Sequence, residues 1–210
     1  MIVTGICPAS KGKNRIYIDE EYVFFLYTRE LRQFELKEGQ PVSQELVDHI
    51  LSEYVLKRAK RKAMDLLQRQ DYSVADLRLR LKRAEYTEEV ISQVIEYLEG
   101  FHYLDDVRYA RQFISGRLEI MGRRQMTSRL LAKGIAREDI EQAFNQLSQE
   151  EVDLEQREQE ALQRLLLKKL NGREPEQVED REWNRIFQFL ARRGFSQSII
   201  YSAIHDYKRN

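Results

Sequence analysis

One cysteine, three prolines, nine glycines and one tryptophan are all that this chain of 210 residues holds of those residue types. With Cys7 alone no internal disulfide can form, which fits a reducing compartment and leaves Cys7 as a small, half-buried residue. Few prolines and glycines leave long stretches without a helix breaker. No run approaches the roughly twenty apolar residues of a membrane span, and the N-terminus lacks the basic start and continuous apolar segment of an export signal. A cytoplasmic protein without membrane contact is expected. Catalytic signatures are missing too. Gly5 to Gly12 lacks the strand-loop-helix context and Lys-Ser/Thr ending of a phosphate loop. His49, His102 and His205 have no zinc-like spacing among themselves or with Cys7, and no Ser, His and acid arrangement stands out. The expectation is a protein that is not an enzyme, with no cofactor, metal or small-molecule substrate.

What is present is charge, apolar periodicity and repetition. Charged residues make up 33% of the chain and hydrophobic ones 42%, enough for a real core beneath a very polar surface. Three distant stretches share one register: Leu81, Tyr86, Thr87, Ile91, Ile95; Leu130, Ile135, Ala136, Ile140, Phe144; and Leu190, Phe195, Ser196, Ile200, Ile204. Tyr86 and Ile135 are 49 residues apart, Ile135 and Phe195 60. A period near fifty accommodates three short helices, so the chain reads as a tandem array in which each unit needs a neighbour to bury its apolar face.

The fold class is therefore mainly α: three three-helix repeats, about nine helices, preceded by a small antiparallel sheet. The divisions are 1–50 for the β-rich segment, then 51–100, 101–150 and 151–210. Arg15–Asp19 and Tyr22–Tyr27 are aromatic and β-branched runs that Met1–Ile6 can pair with across the Pro8–Asn14 loop. Glu30–Phe34 starts a short helix or a last strand. Ser43 caps a helix running through Tyr54 into Ala63 and Leu67, joining sheet to array. Ser73 and Asp76 form a capping box, Thr87 caps the next helix, Met121-Gly122 breaks before a helix through Met126 and Leu130, and Gly134 ends that helix in a left-handed turn. Gln149–Gln163 is polar and helix-prone and leads into the third unit. A longer loop at Asn171-Gly172 and Glu174-Pro175 accounts for the larger second offset.

Charge is unevenly distributed. Residues 1–56 hold six basic and nine acidic side chains, residues 57–100 ten and eight. The excess in the second segment lies in Lys57, Arg58, Lys60, Arg61 and Lys62 and again in Arg78, Arg80, Lys82 and Arg83. Basic clusters recurring along successive helices either form a stripe for nucleic acid or an acidic protein groove, or are solvated helix faces with i, i+4 partners.

His102-Tyr-Leu-Asp-Asp-Val-Arg-Tyr-Ala-Arg-Gln-Phe113 resembles the most recognisable motif of the RecX family, regulators of the RecA recombinase. Asp71-Tyr-Ser73 with Leu77 and Leu81, and Lys133-Gly-Ile135, match the surrounding pattern. The likeness is dense from Ala59 to Leu147, and the third copy and sheet-like N-terminus resemble longer members. His102 stands where the family usually has glycine, and Met121–Gln125 lacks the proline common near that turn. The resemblance implies a non-enzymatic regulator lying along the groove of the RecA filament, inhibiting ATP hydrolysis and strand exchange or promoting filament disassembly, in recombinational DNA repair and the SOS response; a monomer is expected. A directly DNA-binding helical repeat, on single- or double-stranded DNA, or a generic helical scaffold are the alternatives.

The residues expected to meet the partner are Arg58, Lys60, Arg61, Lys62, Arg78, Arg80, Arg83, Arg108, Arg111, Arg123 and Arg124. Those of the family motif expected to be structural are Tyr103, Leu104, Asp105, Asp106, Tyr109, Ala110 and Phe113. Asp105 and Asp106 read as an N-cap and a first-turn acid favoured by the helix dipole rather than a metal site, because no acidic cluster recurs at the equivalent turns. Arg108 and Arg111 either face the partner or pair with those aspartates.

Overall fold

Strands β1 (Val3–Pro8), β2 (Lys13–Ile18) and β3 (Glu21–Tyr27) of the computed structural model form an antiparallel meander in the order β1-β2-β3. The structure describes residues 1–150 and 153–209. Register places Ile16 opposite Phe24, and both are buried on one face; Arg15 opposite Phe25 and Lys13 opposite Tyr27 lie on the other. Phe25 is buried as well, so both faces of the sheet are partly covered, the second by Arg58 and Tyr86. Cys7, expected half-buried, is exposed on the edge strand β1.

The segment after β3 is helical: α1 spans Thr28–Gln33, and Glu30 accepts the Tyr27 N–H at 2.8 Å. Helix α2 (Gln44–Ile50) begins where Ser43 accepts the Leu46 N–H at 3.3 Å. It continues without a break through a π-helical stretch, Leu51–Leu56, into α3 (Lys57–Leu67). The wider π turn shifts the helix face, a change that 3.6-residue periodicity does not predict.

Among the described residues, nine helices make up the array. In the first set α3 is followed by α4 (Val74–Arg83) and α5 (Glu88–Gly100); the second holds α6 (Asp106–Ser115), α7 (Arg123–Ala132) and α8 (Arg137–Gln149). The third holds α9 (Leu154–Leu170), α10 (Asp180–Arg192) and α11 (Gln197–Arg209). Within the polar stretch Gln149–Gln163, α8 ends at Gln149 and α9 starts after Asp153, whose carboxylate accepts the Gln156 N–H at 2.9 Å; residues 151 and 152 lie outside the described residues.

The shared register is a register of burial. Leu81, Leu130 and Leu190 are fully buried, as are Ile91, Ile140 and Ile200 one helix later. Each middle helix ends alike: the N–H of Tyr86, Ile135 or Phe195 reaches back to the carbonyl of Leu81, Leu130 or Leu190. The residue just before, Glu85, Gly134 or Gly194, has a left-handed φ of 73°, 76° or 91°. Ser73 caps α4 through the Asp76 N–H at 3.1 Å, whereas Thr87 holds the N-cap position of α5 without a side-chain cap bond.

The chain divides into two compact units, Met1–Asp105 and the residues from Asp106 onward. In the first, one core runs from Val3 of the sheet to Leu104, so sheet and first repeat share their hydrophobic interior. In the second, Ala110 to Leu147 and Ala161 to Ile200 form separate cores. Among the described residues no helix is long and apolar enough to cross a membrane.

Candidate functional site

The basic residues singled out from the sequence fall into two groups once the fold brings their surroundings together. Arg58 belongs to the interior, a correction to its reading as an exposed cation. Only 18% of its side chain is accessible; Nη1 donates to both Glu30 carboxylate oxygens at 2.7 Å and Nη2 to the Phe25 carbonyl at 2.8 Å. Its guanidinium lies over the rings of Phe25 and Tyr27, at 4.4 and 4.9 Å. Arg58 thus fastens α3 to the sheet. Arg78 reaches Ser92 and Glu88, the latter at 3.5 Å. Arg111 pairs with Glu150 at 2.7 Å, and Arg123 pairs with Glu141 at 2.6 Å while lying over Phe144 at 4.2 Å.

The second group is accessible. Lys60 lies over the Tyr97 ring at 3.9 Å and Arg80 over Tyr72 at 4.5 Å, contacts that leave their charge uncancelled. Arg61, Lys62, Arg83 and Arg124 are exposed and form no ion pair among the described residues. Arg108 is exposed on α6.

In the motif, Leu104, Ala110 and Phe113 are buried and Tyr109 is half-buried. Tyr103 is not core: it is 48% exposed and stacks against Phe101, which in turn contacts Tyr97. Asp105 directly precedes α6 and Asp106 is its first residue, the positions expected for a cap and a dipole-favoured acid. His102 adopts a left-handed φ of 56°, a conformation that favours glycine. Among the described residues no group of three His, Cys, Asp or Glu side chains could hold a metal ion.

A cleft of about 680 Å³ opens between the sheet and the first repeat. Lys11, Lys13 and Arg15 line it from the sheet side, Lys62 from α3, and Arg80 and Arg83 from α4. Its single carboxylate is Glu85, whose oxygens accept from Arg15 Nε at 2.7 Å and Lys13 Nζ at 3.1 Å. Partial burial pushes this carboxyl up, but the hydrogen bonds from Arg15 and Lys13 together with their charges outweigh it and hold it below the usual carboxylate range. The backbone joins in: the Ala84 carbonyl accepts from Lys13 Nζ at 2.9 Å and the Glu85 carbonyl from the Tyr22 hydroxyl at 2.5 Å. Burial, with the Glu85 charge adding to it, pushes Tyr22 up to about 12, so it stays a donor.

Lys11, Lys13 and Arg15 were not singled out from the sequence, because nothing local ties β2 to a helix end seventy residues later. The signal that was available is Glu85 itself: the other two copies of the register have glycine there.

The second unit contains a different junction. Gly122, before α7, donates its N–H to the Arg193 carbonyl at 2.9 Å, and Gln125 Nε2 donates to the Arg192 carbonyl at 2.8 Å. The electropositive start of α7 therefore meets the carbonyl end of α10. The Arg123 N–H donates to Glu158 at 3.0 Å; burial raises that carboxyl against the pull of this bond and of the Arg123 charge. A Cβ on Gly122 would overlap the Gly194 backbone, and one on Gly194 the backbone of Gln125.

These features define the class: a tandem three-helix-domain protein with charged and aromatic surfaces. Models of the RecX first, second and third three-helix domains match residues 59–98, 105–143 and 155–204 in that order. The chain belongs to the RecX family. It is 29% identical over 209 residues to the regulatory protein RecX of Clostridium acetobutylicum, covering 97% of this chain and 95% of that one. It is 26% identical over 203 residues to that of Clostridioides difficile, covering 95% and 92%. A crystal structure of a regulatory protein RecX superposes with a TM-score of 0.64 at 27% identity, covering 98% of each chain. The family is one of regulatory proteins and not of enzymes.

Proposed function

We propose that this protein binds the RecA recombinase filament along its groove and restrains ATP hydrolysis and strand exchange, as a monomeric, cytoplasmic regulator of recombinational repair and the SOS response. The observation that carries the reading is the ordered match of all three RecX three-helix domains. A chain of such units presents successive contact surfaces, which suits a partner that is itself a repeating filament. Accessible cations on α3, α4 and α7, namely Arg61, Lys62, Arg80, Arg83 and Arg124, supply the electrostatic attraction. No step of chemistry is assigned to the chain.

The test is RecA-dependent ATP hydrolysis on single-stranded DNA, with and without the purified protein, alongside sedimentation with preformed filaments. Co-sedimentation with a falling hydrolysis rate is expected. An unchanged rate together with no co-sedimentation overturns the proposal. A direct DNA-binding role has one observation in its favour, the cationic cleft of the first unit.

A further inference from the structure

We propose that the cleft between the β-sheet and the first helical repeat, lined by Lys11, Lys13, Arg15, Lys62, Arg80 and Arg83, binds the phosphodiester backbone of a single-stranded nucleic acid. The inference concerns free nucleic acid and does not depend on the recombinase.

Charge is the first reason. Six cations face one carboxylate, and that carboxylate is already spent on Lys13 and Arg15. Lys11, Lys62 and Arg83 have no ion-pair partner among the described residues, and the Arg80 guanidinium rests on the face of Tyr72 with its donor edge still available. Like charges on converging walls are mutually repulsive, and a bound polyanion removes that repulsion. Guanidinium forks on α4 suit phosphate oxygens geometrically as well as by charge.

The shape of the cleft selects among polyanions. Its floor is a sheet face, since Lys13 and Tyr27, and Arg15 and Phe25, are register partners across β2 and β3. A sheet face offers side chains; the main-chain donors and acceptors of β2 are consumed by its two neighbours. A peptide lying across β2 meets side chains there rather than free main-chain partners, the usual source of affinity for an extended polypeptide. A phosphodiester strand needs no such partner. Tyr27, 38% exposed beside the cations, adds an aromatic surface of the kind on which an unpaired base stacks.

The role of the sheet follows. Glu85 and Arg58 lock it against the first repeat and so hold two cationic walls at a fixed separation.

The test is fluorescence anisotropy of a labelled oligothymidylate with the full chain across a salt series, compared with the Lys62→Gln, Arg80→Gln, Arg83→Gln triple variant. These side chains are exposed and outside ion pairs, so cooperative melting should be retained and is checked first. Losing three phosphate contacts should weaken binding at least about tenfold at low salt and make the log-log salt slope shallower by about two. The control replaces Arg29, Arg32 and Lys37, three exposed cations outside the cleft, with glutamine and should leave both quantities unchanged. Equal affinity and slope in cleft variant and wild type overturn the proposal. So does equal weakening in the control, which signals diffuse attraction. Displacement by polyglutamate as effective as by unlabelled oligothymidylate of equal charge overturns it in favour of an acidic polypeptide, and tighter binding of duplex than of single strand overturns the choice of strand.

Discussion

Glu85 and Gly194 stand at the same position of two copies of one three-helix domain, and both have a left-handed backbone. At Gly194 the missing side chain lets the third repeat bring its backbone against Gln125 of the second. At Glu85 the side chain is kept, at a conformational cost of about 1 kcal/mol, and its carboxylate grips Lys13 and Arg15 of the sheet. One turn thus serves as two kinds of joint: close backbone contact where the neighbour is another helical repeat, an ionic clamp where it is a β-sheet. A repeat adapts to an unlike neighbour through the residue at its turn while its buried leucine and isoleucine positions stay constant.

The largest expected effect breaks the helical joint. Gly194→Ala combines a disfavoured φ with overlap against the Gln125 backbone and should cost about 3 kcal/mol or more in urea unfolding. Gly172→Ala has a similar φ of 74° but open space around it, so it should lose only about 1 kcal/mol. Equal losses in the two would remove the close-contact account.

Next comes the sheet side. Arg58→Met removes the hydrogen bonds to Glu30 and the Phe25 carbonyl and should cost about 2 kcal/mol, leaving a partly buried carboxylate unpaired. The neighbouring Arg61→Gln should change stability by less than about 0.5 kcal/mol. A loss no larger for Arg58 than for Arg61 would return Arg58 to the surface cluster.

A smaller effect isolates Glu85. Glu85→Gln keeps the strained backbone and loses the clamp, so it should cost about 1 kcal/mol; Glu85→Gly loses the clamp but relieves the strain and should fall closer to wild type. The pH dependence has a definite sign. Because the folded-state carboxyl lies below its ordinary value, its contribution is fully present above the unfolded-state pKa of about 4.3 and is lost as pH falls through the folded value. The stability gap between wild type and Glu85→Gln should therefore narrow on acidification. A gap that widens toward acid would reverse the assignment.

The sequence alone carried the sheet, the three helical sets, the caps at Ser43 and Ser73, the Gly134 turn and the buried Leu and Ile register, since these rest on alternation, 3.6-residue spacing and contacts within a few residues. It also carried the family likeness, through His102–Phe113. It could not sort its cations. Arg58 and Lys62 sit four residues apart in one basic run, yet one is buried against Glu30 and Phe25 and the other opens on the cleft. Tyr103 looked like core because aromatic residues usually are, and only the packed chain turns it outward onto Phe101. The π turn at Leu51–Leu56, the Glu85 clamp to β2 and the meeting of Gly122 with Gly194 were likewise decided by tertiary structure. Each depends on residues brought together across a turn of helix phase or some seventy positions of chain, and helical spacing specifies which side of an element is apolar but not which charged neighbour will be waiting there.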